Sequence, residues 1–153
     1  MPKIDVSRDF IPVNIAILTV SDTRSSADDR SGDALNSRAI GDGHAVVDRS
    51  IVKDEVSLIL KKLDHWISNS VIDVIISTGG TGFTGRDVTP EAFKAVFEKE
   101  IEGFGELFRW ISYQKIGTST IQSRAVAGVA KGTYLFAQPG TTGACTDAWV
   151  GIL

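Results

Sequence analysis

Val71-Ile-Asp-Val-Ile-Ile-Ser-Thr-Gly-Gly-Thr-Gly-Phe-Thr-Gly-Arg-Asp-Val-Thr-Pro-Glu-Ala92 reads as a strand, a glycine-rich loop and a helix start in one run. Its apolar opening is short, β-branched and closed by turn formers, which predicts a buried strand over 71–78. Gly79, Gly80, Gly82 and Gly85 supply places where backbone can approach a ligand with no Cβ in the way. Thr89-Pro90-Glu91 predicts a helix entry, with Thr89 as the cap and Pro90 at the first helical position. The positive end of that helix would face the loop and favour an anion. On its own the loop reads equally as a phosphate cradle or as a tight α/β connection. No Gly-Lys-Ser/Thr follows it and its spacing is not Gly-x-Gly-x-x-Gly, which excludes the Walker and dinucleotide motifs. Asp87 would repel an anion held there unless it bridges through a divalent cation or moves a proton.

Outward from this unit the same alternation repeats. Val13 to Val20 predicts a first strand, Asp29 to Gly41 a helix announced by Asp28-Asp29, and His44 to Val52 a second strand. Val56, Ile59, Leu60, Leu63 and Ile67 recur at helical spacing within 54–69. After the loop, helices are expected over 89–99 and 104–115, a strand over 133–137, and a last helix from near Thr141. Strands alternating with helices predict an α/β three-layer sandwich, a mostly parallel sheet with helices on both faces and ligand at the carboxyl ends of its strands. Thr19 to Asp22, Asp54 and Gly79 to Asp87 all fall at such ends, so one shared site is expected.

Composition agrees. A chain of 153 residues, 42% of them hydrophobic, suits one domain, read as a polar N-terminal arm over 1–12 and a folded domain over 13–153. A net charge of -3 leaves no basic footprint for nucleic acid. A single cysteine, Cys145, permits no internal disulfide, and the start lacks the apolar core of a signal peptide, so a cytoplasmic location is expected. No apolar run reaches the roughly 20 residues that span a bilayer, so no membrane partner is expected.

Thr78-Gly-Gly-Thr-Gly-Phe-Thr-Gly-Arg-Asp-Val-Thr-Pro-Glu-Ala92 resembles the signature of the molybdopterin-binding domain of molybdenum cofactor biosynthesis. That family includes molybdopterin adenylyltransferase and molybdenum cofactor biosynthesis protein B. Ile17-Leu-Thr-Val-Ser-Asp22, Ile101-Glu-Gly-Phe-Gly-Glu106, Ile116-Gly-Thr-Ser-Thr120, Ser123-Arg-Ala-Val-Ala-Gly128 and Pro139-Gly140 are similar to further motifs of the family, the protein B branch above all. The likeness therefore runs through nearly the whole chain. It implies binding of molybdopterin and its adenylylation with magnesium ATP, or else a carrier that holds molybdopterin without chemistry. It also implies a homotrimer or homohexamer, and contact with other proteins of molybdenum cofactor biosynthesis.

Residue by residue, the resemblance adds to what each position says alone. Asp54 alone reads as a helix cap, whereas the resemblance pairs it with Asp87 as catalytic carboxylates and a magnesium platform. Thr19, Ser21 and Asp22 sit at a strand end and read as nucleotide contacts or as caps. Gly79, Gly80, Thr81 and Gly82 are the substrate loop. Ser112 and Ser123 read alone as ordinary hydroxyls, and the resemblance makes them contacts to the pterin or its phosphate. Pro139, Gly140 and Thr141 form a second strand-to-helix turn able to present N–H groups. Here the chain departs from the adenylyltransferase branch, which usually carries proline soon after Pro-Gly where this sequence reads Thr-Thr-Gly. His44 and His65 are too isolated for a metal site, and Cys145 reads as core. Phe104, Phe108, Trp110 and Tyr113 exceed one helix face and predict a subunit contact.

Overall fold

From Ile15 to Val20 the chain offers no side chain more polar than Thr19, and this stretch is buried on both faces, as a central parallel strand must be. The computed structural model describes residues 5–153. In chain order its elements are β1 (Asn14–Val20), α1 (Arg30–Gly41), β2 (Ala45–Val52), α2 (Val56–Ile67), β3 (Val74–Thr78), α3 (Thr89–Val96), β4 (Lys99–Glu100), α4 (Glu102–Ile116), a 3-10 turn (Gly117–Gln122), β5 (Val126–Ala130), β6 (Thr133–Gln138) and α5 (Thr142–Gly151). The sheet runs in the order β2-β1-β3-β6-β5-β4. β2, β1, β3 and β6 are parallel; β5 runs antiparallel to β6, and β4, antiparallel to β5, points the same way as the parallel strands.

Alternate residues of the strands feed two cores. On one face, Ala16, Leu18, Ile75 and Leu135 meet Ile59, Leu63 and Trp66 of α2 and Phe93 of α3. On the other, Ile15, Ile17 and Ile76 meet Leu35 and Ala39 of α1 with Cys145 and Trp149 of α5, while Phe104 and Phe108 of α4 pack on Ala125 and Ala127. This is the three-layer α/β sandwich expected. Phe93 is fully buried, so Phe93→Ala is expected to cost about 3–5 kcal/mol, read as a lower urea midpoint at unchanged slope.

Several expectations are corrected. The third strand begins at Val74 rather than Val71, because Asn69 closes a turn by accepting from the Val71 and Ile72 amides. For the same reason the second helix stops at Ile67. Thr89 does not cap α3: Val88 holds that position, and the Thr89 hydroxyl donates to the Gly79 carbonyl at 2.9 Å. α3 ends at Val96, since Phe97 is extended and leads into β4. α4 is longer than expected, from Glu102 to Ile116.

β4 and β5 were not anticipated, being two charged residues and a Val-Ala-Gly-Val-Ala run of weak strand propensity. Lys131 (φ 48°) and Gly132 (φ 81°) turn β5 into β6 as a two-residue hairpin loop. Phe104 and Phe108, at 3% and 2% exposure, belong to the molecule's own core, leaving Trp110 (64%) and Tyr113 (54%) on the outside.

Of the arm read over 1–12, residues 1–4 lie outside the described residues; from Asp5 to Pro12 the chain is exposed and forms no helix or strand. The Phe10 ring leans on His44 at 5.1 Å, and His44 Nδ1 accepts from the Val13 amide at 3.1 Å.

Candidate functional site

The segments leaving β1, β3 and β6 meet at the carboxyl edge of the sheet. Gly79 (φ 101°) and Gly80 (φ 69°) take backbone conformations that side chains resist. A Cβ on Gly79 would also collide with the Val20 carbonyl, and one on Gly80 would collide with the Thr89 hydroxyl and lie 3.0 Å from Asp54 Oδ1. Gly140 presses on the same point, where a Cβ would lie 3.2 Å from Gly79 Cα. Its carbonyl accepts from Arg24 Nη2 at 2.9 Å and from the Ser31 hydroxyl at 2.6 Å, which ties the β1–α1 connection to the turn after β6. The Thr78 hydroxyl donates to the Pro139 carbonyl at 3.0 Å.

Three carboxylates border this junction. Asp54 lies between β2 and α2, yet the cap position of α2 is Glu55 and no side chain caps there, so the capping role open to Asp54 in the sequence is not the one it fills. Its amide donates to Asp22 Oδ1 at 3.1 Å, and Asp22 takes Arg86 in a two-pronged pair at 3.0 and 2.9 Å. Burial, reinforced by the negative charges of Asp22 and Asp87, pushes the Asp54 carboxyl above its usual range. Asp22 is held below it by Arg86.

Burial works against Asp87 too, but Oδ2 accepts from the Thr84 hydroxyl at 2.6 Å and the Thr84 amide at 3.0 Å, and these bonds hold its carboxyl low. Neighbours pushed in opposite directions separate a proton acceptor from a permanent anion. Among the described residues no three His, Cys, Asp or Glu side chains are gathered closely enough to hold a metal unaided. Two carboxylates beside a glycine loop would suit magnesium, which takes one or two carboxylates and completes its shell with phosphate oxygens and water.

Beside the loop opens a cavity of about 400 Å3, lined by Thr81, Gly82, Ser112, Ser123, Pro139 and Thr141 among others. These six candidates come from four separate stretches of sequence. The Ser123 hydroxyl is buried and has no hydrogen-bond partner among the described residues, as is also true of Ser77 and the Gln138 side chain. Thr141 caps α5 by accepting from the Ala144 amide at 3.1 Å, so its hydroxyl is partly engaged. A larger open groove of about 550 Å3 runs between α3 and α4. Glu91, Glu100, Glu102 and Glu106 line it together with Lys94, Arg109 and Arg124, and none of the loop glycines borders it, whereas Thr81 and Gly82 border the smaller cavity, which is therefore the candidate site.

Two candidates turn elsewhere. The Thr19 hydroxyl is buried and donates to Asp29 Oδ2 at 2.8 Å, beneath α1. Ser21 Oγ accepts from the Thr23 and Arg24 amides at 3.2 and 3.1 Å, closing a turn. Conversely, Lys115, Ser119, Gln122 and Asp147 line the cavity and were not foreseen. The signal was present for the first: Phe108, Ser112 and Lys115 stand at i, i+4 and i+7 and share a helix face. Lys115 pairs with Asp147 across the cavity mouth. Cys145 is core, as expected, and burial raises its thiol.

Residues 16–153 match the family model described as "Probable molybdopterin binding domain". Molybdenum cofactor biosynthesis protein B of Escherichia coli (strain K12) is 51% identical over 148 residues, covering 97% of this chain and 87% of that protein. A crystal structure of a molybdenum cofactor biosynthesis protein B superposes with a TM-score of 0.91 at 40% identity, over 95% of this chain and 91% of the other. The tungsten cofactor synthesizing protein MoaB from Pyrococcus furiosus follows with 0.83 at 34% identity, over 91% and 89%. No helix among the described residues is long and apolar enough to cross a membrane. With the family model covering all but the first residues and half of its positions shared with a named relative, the chain belongs to the molybdopterin-binding domain family, among the molybdenum cofactor biosynthesis B proteins.

Proposed function

We propose that this protein acts in molybdenum cofactor biosynthesis, holding molybdopterin in the cavity beside Gly82 and transferring AMP to it from ATP. The observation that carries this reading is the meeting, at one sheet edge, of a glycine cradle, three carboxylates and a cavity whose buried Ser123 hydroxyl lacks a partner. An oxygen of the pterin's terminal phosphate attacks the α-phosphorus of ATP. The bond to the bridging oxygen breaks and pyrophosphate leaves. Asp54 takes any proton still on the attacking phosphate, a role that its raised carboxyl suits. Asp87 stays ionised and would hold magnesium, which when bound offsets phosphate charge. The Gly80 amide orients the triphosphate, since the Gly79 and Thr89 amides are already given to the Gln138 and Gly80 carbonyls. Purified protein mixed with molybdopterin, ATP and magnesium should yield adenylylated pterin and pyrophosphate; pterin binding without either product would leave the second reading.

That second reading is a molybdopterin carrier without chemistry, and one observation favours it. The turn after Gly140 reads Thr-Thr-Gly, and Thr141 spends its hydroxyl on capping α5.

The same reading includes a homotrimer or homohexamer, with contacts to other proteins of the pathway. Leu107, Trp110, Tyr113 and Ile116 are exposed on α4, an apolar surface suited to another copy. Light scattering is expected to give a multiple of 16.4 kDa, and Trp110→Glu to lower it. A monomeric mass for the unaltered chain would remove the assembly without touching the site.

A further inference from the structure

We propose that Arg124 is a positioning residue, the brace that holds the Gly82–Asp87 loop and with it the Asp87 carboxylate. This loop has no helix or strand of its own, carries two glycines, and exposes Phe83, Thr84, Gly85 and Arg86. Its internal bonds join Thr84 to Asp87 and do not fasten it to the body of the protein. The Arg86–Asp22 pair does, but it is open to water, and exposed pairs hold weakly.

Arg124, from the segment before β5, reaches both ends of the loop. Its amide donates to the Thr81 carbonyl at 2.9 Å, Nε to the Gly82 carbonyl at 2.6 Å, and Nη2 to the Asp87 carbonyl at 2.7 Å. Glu91, in the first turn of α3, accepts from Nη1, a contact that the loop itself does not share. One rigid fork thus spans two carbonyls that a lysine ammonium could not bridge together. Ser123, its neighbour in the chain, faces the cavity, so one dipeptide touches the ligand site with one residue and braces the loop with the next.

The rate arm of the test rests on the adenylyl transfer proposed above; the other two arms do not. R124K, R124Q and E91Q are compared with the unaltered protein. In R124K and R124Q, amide exchange at Thr84 and Asp87 is expected to quicken at least tenfold while β3 and α2 keep their protection. Affinity for magnesium ATP should fall, and kcat about 100-fold, the cost of a carboxylate displaced by about 1 Å, with KM for the pterin within threefold. E91Q leaves both loop bonds in place and should change none of these by more than threefold. If the unaltered protein transfers no AMP, the reaction reading fails, while exchange and nucleotide affinity still decide the role of Arg124. If R124Q loses its thermal transition, R124K decides. Unchanged loop exchange in R124K, or E91Q as damaging as R124K, would overturn the proposal.

Discussion

Asp87→Asn is expected to lower kcat for adenylyl transfer about a thousandfold while leaving pterin affinity within a few fold. With Asp87 in the proposed role of holding charge beside the triphosphate, the size follows from charge placement in the transition state, which contributes roughly 100- to 1,000-fold. Asp87 borders the cavity through Gly82, whose Cβ, if present, would lie 2.6 Å from Asp87 Oδ2, so the ligand surface itself is little altered by the exchange. Asp54→Asn should lose activity to a similar degree.

Stability, measured in magnesium-free buffer, should move in opposite directions in the two variants. The Asp54 carboxyl is raised in the folded protein, so folding takes up a proton above the unfolded value of about 3.9, and stability falls as pH rises from there through the folded value. Asparagine removes that penalty, and Asp54→Asn should melt higher than the unaltered chain at pH 7 but not at pH 3. Asp87 is lowered, so its contribution is present above about 3.9 and lost as pH falls through its folded value, and Asp87→Asn should melt lower at pH 7. Full turnover in either variant would remove that residue from the chemistry.

Gly80→Val should abolish ligand binding in a chain that still folds. Valine resists a φ of 69°, and its Cβ would push into the Thr89 hydroxyl and toward Asp54 Oδ1. The cost in stability is on the order of 1–3 kcal/mol for the backbone alone, enough to lower the melting point but not to erase a core built on Trp66, Phe93 and Leu135. Circular dichroism checks the fold and calorimetric titration with magnesium ATP and with pterin checks the site. Normal binding would mean that the glycines serve only as a connection.

The elements legible in the sequence are those with a local cause. β1, β3 and the apolar face of α2 announce themselves by pattern, and the Asp28-Asp29 signal is confirmed, since Asp29 caps α1 by accepting from the Gly32 amide at 3.1 Å. β4 and β5 were hidden because their strand character comes from partners: Gly128 is there to leave room for the Phe97 ring, a demand made by residues about thirty positions away. The site divides likewise. The glycine loop and Asp87 are readable from spacing, and Ser112 and Ser123 through a family likeness. Lys115 and Asp147 meet across 32 positions, and Arg124 closes a loop 42 positions before it, so no window of sequence contains either pair. Asp54 shows the limit of local reasoning: its place before a helix predicts a cap, and what it does instead is set by Asp22, 32 residues earlier.

The strand order β2-β1-β3-β6-β5-β4 has a consequence for how the molecule is made. Of the described strands β6 is the last to be synthesised, yet it is seated in the middle of the sheet. Pro139, whose carbonyl the Thr78 hydroxyl binds, is translated 61 residues after it, a delay of about 3–12 s at ordinary elongation rates. During that interval β3 has an open edge, and the nascent chain is a sticky β1-β2-β3 fragment for which chaperones would compete. Gly140 and the cavity residues from Phe108 onward are absent from this fragment. The cavity therefore closes only once the chain has been made as far as Gly140 and α5.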